Sequence, residues 1–213
     1  GLNGGGDAET TATKIIGRAI AWSNGEDWCA GTASAGGGAV GLPTAGPIKI
    51  GDPLQFSLYG PLVFTETAWK YAVPIVQEAR RRGLSDRAAV ITLGTSIVET
   101  GGIKMYANST VPDSLELPHD AVGSDHDSVG LFQQRQSWGP TADLMDPTKS
   151  AGLFYDALVK VPDWETIDLG VAAQKVQISA EPQRYLPAMV DGVAILATVD
   201  ASGLGGKAGS TTS

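Results

Sequence analysis

The tightest constraint on this chain is one stretch, Ser85 to Gly102, which reads SDRAAVITLGTSIVETGG. Ala88, Ala89, Val90, Ile91, Leu93, Ile97 and Val98 fall on all sides of a helical axis rather than along one stripe, so the predicted helix must be enclosed by other elements. Ser85 is placed to cap its first turn, and Asp86 suits the positive N-terminal end. Gly101 and Gly102 end it, because glycine takes positive φ freely. A chain that buries one helix from every direction folds as a mainly helical domain. The apolar fraction of 42% over 213 residues is sufficient for the core this requires.

Glu99 sits in the last turn of that helix. There the dipole is negative and the neighbours are apolar, and both effects disfavour the charged form of a carboxyl. A carboxylic acid that keeps its proton is what a general acid needs to protonate a departing sugar oxygen. The plainer reading is a solvated helix end, where glutamate is common. Downstream, Asp125, His126 and Asp127 precede Gly130, Leu131, Phe132, Gln133, Gln134 and Arg135, with Trp138 close by.

Taken together these strings resemble the lysozyme-like domains of actinobacteriophage lysins and tail proteins. They belong to the superfamily that includes goose-type lysozyme and the soluble lytic transglycosylases. In it a glutamate ending a buried helix is followed by a Gly-Leu-x-Gln motif, matched here by Glu99 and by Gly130, Leu131, Phe132 and Gln133. Closer relatives carry an acidic pair before Gly-Leu-Phe-Gln-Gln-Arg and a Tyr-Ala-Asn-Ser segment, matched by Asp125 and Asp127 and by Tyr106, Ala107, Asn108 and Ser109. The resemblance covers about residues 61 to 198. It implies an α+β lysozyme-like fold, mainly helical with a small β or loop wing, and a peptidoglycan muramidase that cleaves the β-1,4 bond between N-acetylmuramic acid and N-acetylglucosamine. No cofactor and no metal are implied. An endolysin acting from the host cytoplasm, or a virion-associated lysin, is the implied setting, and a monomer is expected.

Within that reading Glu99 is the acid, and Asp127, three residues before Gly130, is the candidate second carboxylate that orients a water or supports positive charge. Asp125 is more readily a turn residue bonding its own backbone, which is also the alternative for Asp127. Gln133 and Gln134 can bind N-acetyl groups and hydroxyls, or tie the backbone to a helix. Tyr106 and Trp138 can stack on sugar rings, although aromatics more often fill cores. The Ala-Tyr-Asn string of the transglycosylases is missing. In its place stands SAEPQRYLP, with Tyr185 the possible partner for Glu99. Hydrolysis and transglycosylation both remain open, and a cell-wall-binding or phage tail structural module without chemistry is the alternative from another class.

The net charge of −8 argues against nucleic acid. The one basic cluster, Arg80 to Arg82, is expected to be a solvated helix end. No apolar run reaches membrane-spanning length. One cysteine, Cys29 in DWCA, cannot form an internal disulfide. That string resembles the start of cysteine amidase domains, yet both histidines lie inside the lysozyme-like stretch, away from any base role for a thiol. His119 and His126 bracket Asp120 and Asp125 without a recognised metal spacing.

In chain order, residues 1–6 are expected to be a lead-in and residues 9–22 a short amphipathic helix. Half of the 28 glycines fall in residues 1–60, so this part is expected to be an extension or linker, with a strand or two near Ile48–Ile50 and Leu54–Leu58 that either pack onto the main domain or link it to something upstream. The domain is expected over 61–198. It should hold a helix over 65–82 capped by Thr65 or Thr67 and kinked or split at Pro74, a long loop from Lys104 to Gly123, and a helix opened by Asp146-Pro147. Further helices are expected after Asp168 and after Pro187, the last with Val190, Val193, Ala194 and Ala197 inward. Residues 199–213 have the composition of a flexible tail, and glycine-rich stretches at both ends suggest a part of a larger modular protein.

Overall fold

The computed structural model describes residues 41–56, 60–179 and 184–206. Expectations for the lead-in, the 9–22 helix, Cys29 and the last residues of the tail lie outside the described residues. The described residues belong to a compact unit that begins at Ala39. Its elements are α1 (Glu66–Arg81), α2 (Asp86–Thr100), β1 (Tyr106–Asn108), α3 (Pro112–Leu115), β2 (Ala121–Gly123), α4 (Thr141–Leu144), α5 (Pro147–Leu158), α6 (Leu169–Gln177) and α7 (Ala188–Ser202), with a 3-10 turn at Gln136–Trp138. The architecture is mainly helical, with one small parallel sheet among the described residues.

Helix α2 is the central post. Every residue from Arg87 to Val98 is buried, and α1, α5, α6 and α7 all pack against it. Its polar residues are tolerated because each finds a bond. The hydroxyls of Thr92, Thr95 and Thr100 donate to the carbonyls of Ala88, Ile91 and Ser96, four residues back, at 2.8, 2.7 and 2.7 Å. Ser85 occupies the cap position, but its side chain makes no capping bond. The closest neighbour is α7. A Cβ on Gly94 would lie 2.7 Å from Met189 Sδ, and one on Gly192 would lie 2.8 Å from the Val90 carbonyl, so the two helices meet through their backbones.

Helix α1 runs unbroken through Pro74 instead of splitting there, with Thr65 Oγ1 accepting from Ala68 N at 3.0 Å. Proline at 74 deprives the Lys70 carbonyl of its helical donor, and Lys70 lies on the exposed face, where water can replace it. The arginine triplet at its end is not simply solvated. Arg80 bridges to Asp200 and donates to the Gly206 carbonyl at 2.9 Å, while Arg82 reaches the buried Glu78 and Asp156 on α5 at 2.6 Å. Only Arg81 of the three is largely exposed, and it too pairs with Glu78. The Arg81 hydrogen bond, opposed by burial, holds the Glu78 carboxyl below its usual range.

The described residues just before Pro61, 48–56, pack onto the domain, the first of the two expectations for this segment. Leu54 and Phe56 are buried in the core, and Leu54 N donates to Leu62 O at 2.9 Å. The buried Asp191 on α7 accepts from Gln55 N and Phe56 N, both at 2.7 Å. Burial raises the Asp191 carboxyl above its usual range, and the two backbone donors work against that shift. Orphaning such donors costs about 1–3 kcal/mol each, so this clamp holds the segment firmly. At the other end α7 continues to Ser202, and Leu204 O accepts from Gln77 on α1 at 2.7 Å. The domain is therefore longer at both ends than residues 61–198.

The stretch from Lys104 to Gly123 is a folded wing. β1 and β2 pair in parallel, Tyr106 with Ala121 and Asn108 with Gly123, and Pro112 opens the short α3 between them. Asp146 and Asp168 cap α5 and α6 through their side chains, as their positions before each apolar stripe require. In α7 the buried residues are Ala188, Met189, Asp191, Gly192, Ala194, Ile195, Leu196 and Val199, so Ala194 is inward as expected. Val190, Val193 and Ala197 are only half-buried. No helix among the described residues is long and apolar enough to cross a membrane.

Candidate functional site

Glu99 occupies the last turn of α2, one residue before the helix ends. Gly101 then turns left-handed at φ 60° and returns its N–H to Ile97 O. The Glu99 side chain is 10% exposed, so it is neither solvated nor fully enclosed. Two side chains from the segment before α7 meet its Oε1: Tyr185 OH donates at 2.5 Å and Arg184 Nη2 at 2.7 Å. Oε2 is left without a partner among the described residues. The apolar shell expected around this carboxyl is thus interrupted by a guanidinium, which stacks over the Tyr185 ring with 5.2 Å to its centroid.

The three groups reinforce one another. Burial first, then the charge of Glu99, hold the Tyr185 hydroxyl above the usual phenol range, so it stays a donor. Burial works against the charge on Arg184, but the hydrogen bond and charge of Glu99 outweigh it and hold the guanidinium above its usual range. This is an acid or carboxylate with a fixed phenolic donor, a fixed cation and one unengaged oxygen.

The Gly-Leu-Phe-Gln segment lies against the same helix. Ser96 Oγ, three residues before Glu99, donates to Leu131 O at 2.8 Å, and Gly130 N donates to Tyr106 O at 2.8 Å. Val129 and Gln134 exchange backbone bonds at 3.0 Å, closing a tight turn in which Gly130 takes φ 81° and Gln133 φ 49°. Leu131 and Phe132 are fully buried, and Phe132 stacks on Phe154 with ring centroids 5.1 Å apart. The turn therefore wedges β1, α2 and α5 together.

Its two glutamines differ. Gln133 is half-buried, with Nε2 donating to Gly130 O at 3.3 Å. Gln134 is 1% exposed and donates to Ser150 O at 3.2 Å, so it ties the turn to α5 and presents nothing to a ligand. Asp127 is occupied on both oxygens: Oδ1 by Arg135 and Oδ2 by Gln136 N at 3.0 Å. That is the bonding of a loop organiser. Asp125 has a side chain 79% exposed and pairs with His126 at 2.7 Å. Tyr106 is half-buried in β1, and Trp138 is half-buried against the core at the 3-10 turn. Among the described residues no three of His, Cys, Asp and Glu gather as a metal would need.

Two residues that sequence reasoning passed over organise this region. Arg184 was invisible because its partner lies 85 positions away, and no local pattern links them. Asn108 is buried, and its Nδ2 donates to Ser128 O at 2.9 Å and Asp125 O at 3.2 Å, holding the acidic loop onto the wing. Its place in the Tyr-Ala-Asn-Ser string was the available signal. A cavity of about 290 Å³ lies elsewhere, between α1 and α5, lined by Arg81, Arg82, Lys149, Asp143 and Asp156 among others. Every cation in it has an acidic partner, so it reads as an ion-pair seam between helices. No protein-family model matches this chain, and no curated protein does either.

Proposed function

We propose that this chain is a peptidoglycan muramidase with a lysozyme-like fold, in which Glu99 is the general acid. One observation carries the reading. A carboxyl at the end of the most buried helix is fixed by a phenol and a guanidinium on one oxygen, and the Gly-Leu-Phe-Gln turn is bonded to the same helix one turn earlier. In the reaction Glu99 protonates the glycosidic oxygen while positive charge develops on the adjoining sugar, and Tyr185 steadies the carboxylate that results. Asp127 is engaged by Arg135 and Gln136, which favours a mechanism led by a single acid. Water or the sugar's own hydroxyl would then complete it, giving hydrolysis or an anhydro product. A phage lysin module acting on the bacterial wall, from the host cytoplasm or the virion, is the setting that suits this chemistry.

A second reading is a wall-binding or phage tail structural module. The Glu99–Arg184 ion pair favours it, because a carboxyl paired with a cation suits a charged, inert role. Incubation with purified murein sacculi separates the two. The muramidase reading expects soluble muropeptides carrying new reducing ends or anhydro-muramic ends by mass spectrometry. Co-sedimentation with the sacculi and no released ends over hours would leave the binding module.

A further inference from the structure

We infer that Arg184 is a carboxylate-binding residue of the glycan site, pairing with Glu99 in the free protein and with a carboxylate of the strand when substrate is bound. The inference rests on the muramidase reading and adds a substrate requirement to it.

Charge must balance around the guanidinium. To deliver a proton, Glu99 must first hold it, and holding it removes the negative charge that Arg184 faces at 2.7 Å. The guanidinium cannot give up its own charge at any ordinary pH. Its side chain is only 20% exposed, and among the described residues its salt bridge is with Glu99 alone. A mostly covered cation left without an anion is costly, so protonated Glu99 and unpaired Arg184 form an unfavourable couple. A carboxylate brought by the substrate restores the balance of charge around the guanidinium.

Geometry provides the capacity for this. Nη2 serves Glu99 and is the nitrogen that a second carboxylate would take over, since the side chain keeps 20% of its surface exposed while Nε is enclosed and out of a ligand's reach. Stacking over the Tyr185 ring holds the guanidinium plane in place when its partner changes. Wall glycan offers carboxylates in two places: the lactyl group of peptide-free muramic acid, and the peptide stems. A chitin-type strand of N-acetylglucosamine offers none. Arg184 then selects muramyl strands over neutral ones.

The test uses equilibrium binding to Glu99→Gln, which removes both the reaction and the competing anion. The probes are a neutral N-acetylglucosamine oligomer, a peptide-free muramyl strand of equal length, and a peptide-bearing strand. At least one anionic strand is expected to bind about tenfold or more tighter than the neutral oligomer. Preference for the peptide-free strand assigns the lactyl carboxylate, and preference for the peptide-bearing strand alone assigns the stem. Adding Arg184→Gln should bring the ratio to within about twofold, and Arg184→Lys should keep part of it. Should Arg184→Gln not fold, the Arg184 side-chain N–H resonance in Glu99→Gln decides, shifting with an anionic strand and not with the neutral one. Ratios within about twofold for both anionic strands, a preference that survives Arg184→Gln, or an unmoved resonance would overturn the inference. A wild-type protein that releases nothing from sacculi would end the muramidase reading and still leave these binding ratios to be read.

Discussion

Glu99→Gln is expected to reduce the release of reducing or anhydro ends from purified wall by at least about a hundredfold, the usual scale for loss of a positioned acid. Glutamine keeps the shape of the side chain, and its Oε1 can still accept from Tyr185 OH and Arg184 Nη2, which meet Glu99 at 2.5 and 2.7 Å. It has no acidic proton to give. The variant should retain its helical circular dichroism and a cooperative melt, with some stability lost because Arg184 no longer faces an anion. The comparison is of initial rates at matched protein concentration. A rate within a few fold of wild type would remove Glu99 from the chemistry.

The second large effect is structural. Gly130→Ala is expected to destabilise the domain by about 3 kcal/mol or more and to take activity with it. Gly130 is constrained twice. Its φ of 81° is a conformation that alanine adopts at a cost of about 1–2 kcal/mol, and a Cβ there would lie 2.2 Å from the Leu144 carbonyl oxygen. That neighbour is backbone at the end of α4, so the turn or the helix must move, adding roughly 1–3 kcal/mol. Gly101→Ala is the informative control. It shares a positive φ, of 60°, but has open space around the would-be Cβ, so it should cost only the conformational part. Denaturant melts of the two variants compare these losses. Equal small losses for both would mean that the Gly130 turn is not wedged as described.

Much of the fold was legible because its signals are local. The apolar run of α2 with glycine after it, Asp146-Pro147 before α5 and Asp168 before α6 each state a start or stop in adjacent residues. Pro74 misled because the sequence does not show that the carbonyl it orphans is on the exposed side of α1. The wing was read as a loop because strands of three residues and a helix of four are too short to show a period. The early boundary was missed for a different reason. Residues 48–56 are ordered by Asp191 and Thr198, more than 130 positions later, and only tertiary contact reveals that.

The site divides the same way. Glu99 and the Gly-Leu-Phe-Gln turn were visible as strings, and the structure brings them onto one helix through Ser96 and Leu131. Asp127 and Gln134 carried polar atoms of the right kind, but the fold uses them on Arg135, Gln136 and Ser150. Local composition cannot separate a residue offered to a ligand from one consumed by its neighbours. Arg184 illustrates the converse: an unremarked surface-type residue becomes the counter-charge of the proposed acid.

The most direct measurement is a crystal structure of Glu99→Gln with a muramyl glycan strand bound. The account predicts a glycosidic oxygen within about 3.2 Å of the residue 99 side chain, on the side of Oε2, with the strand running past the wing. A strand bound with every glycosidic oxygen far from residue 99, or seated instead in the charged seam between α1 and α5, would contradict it.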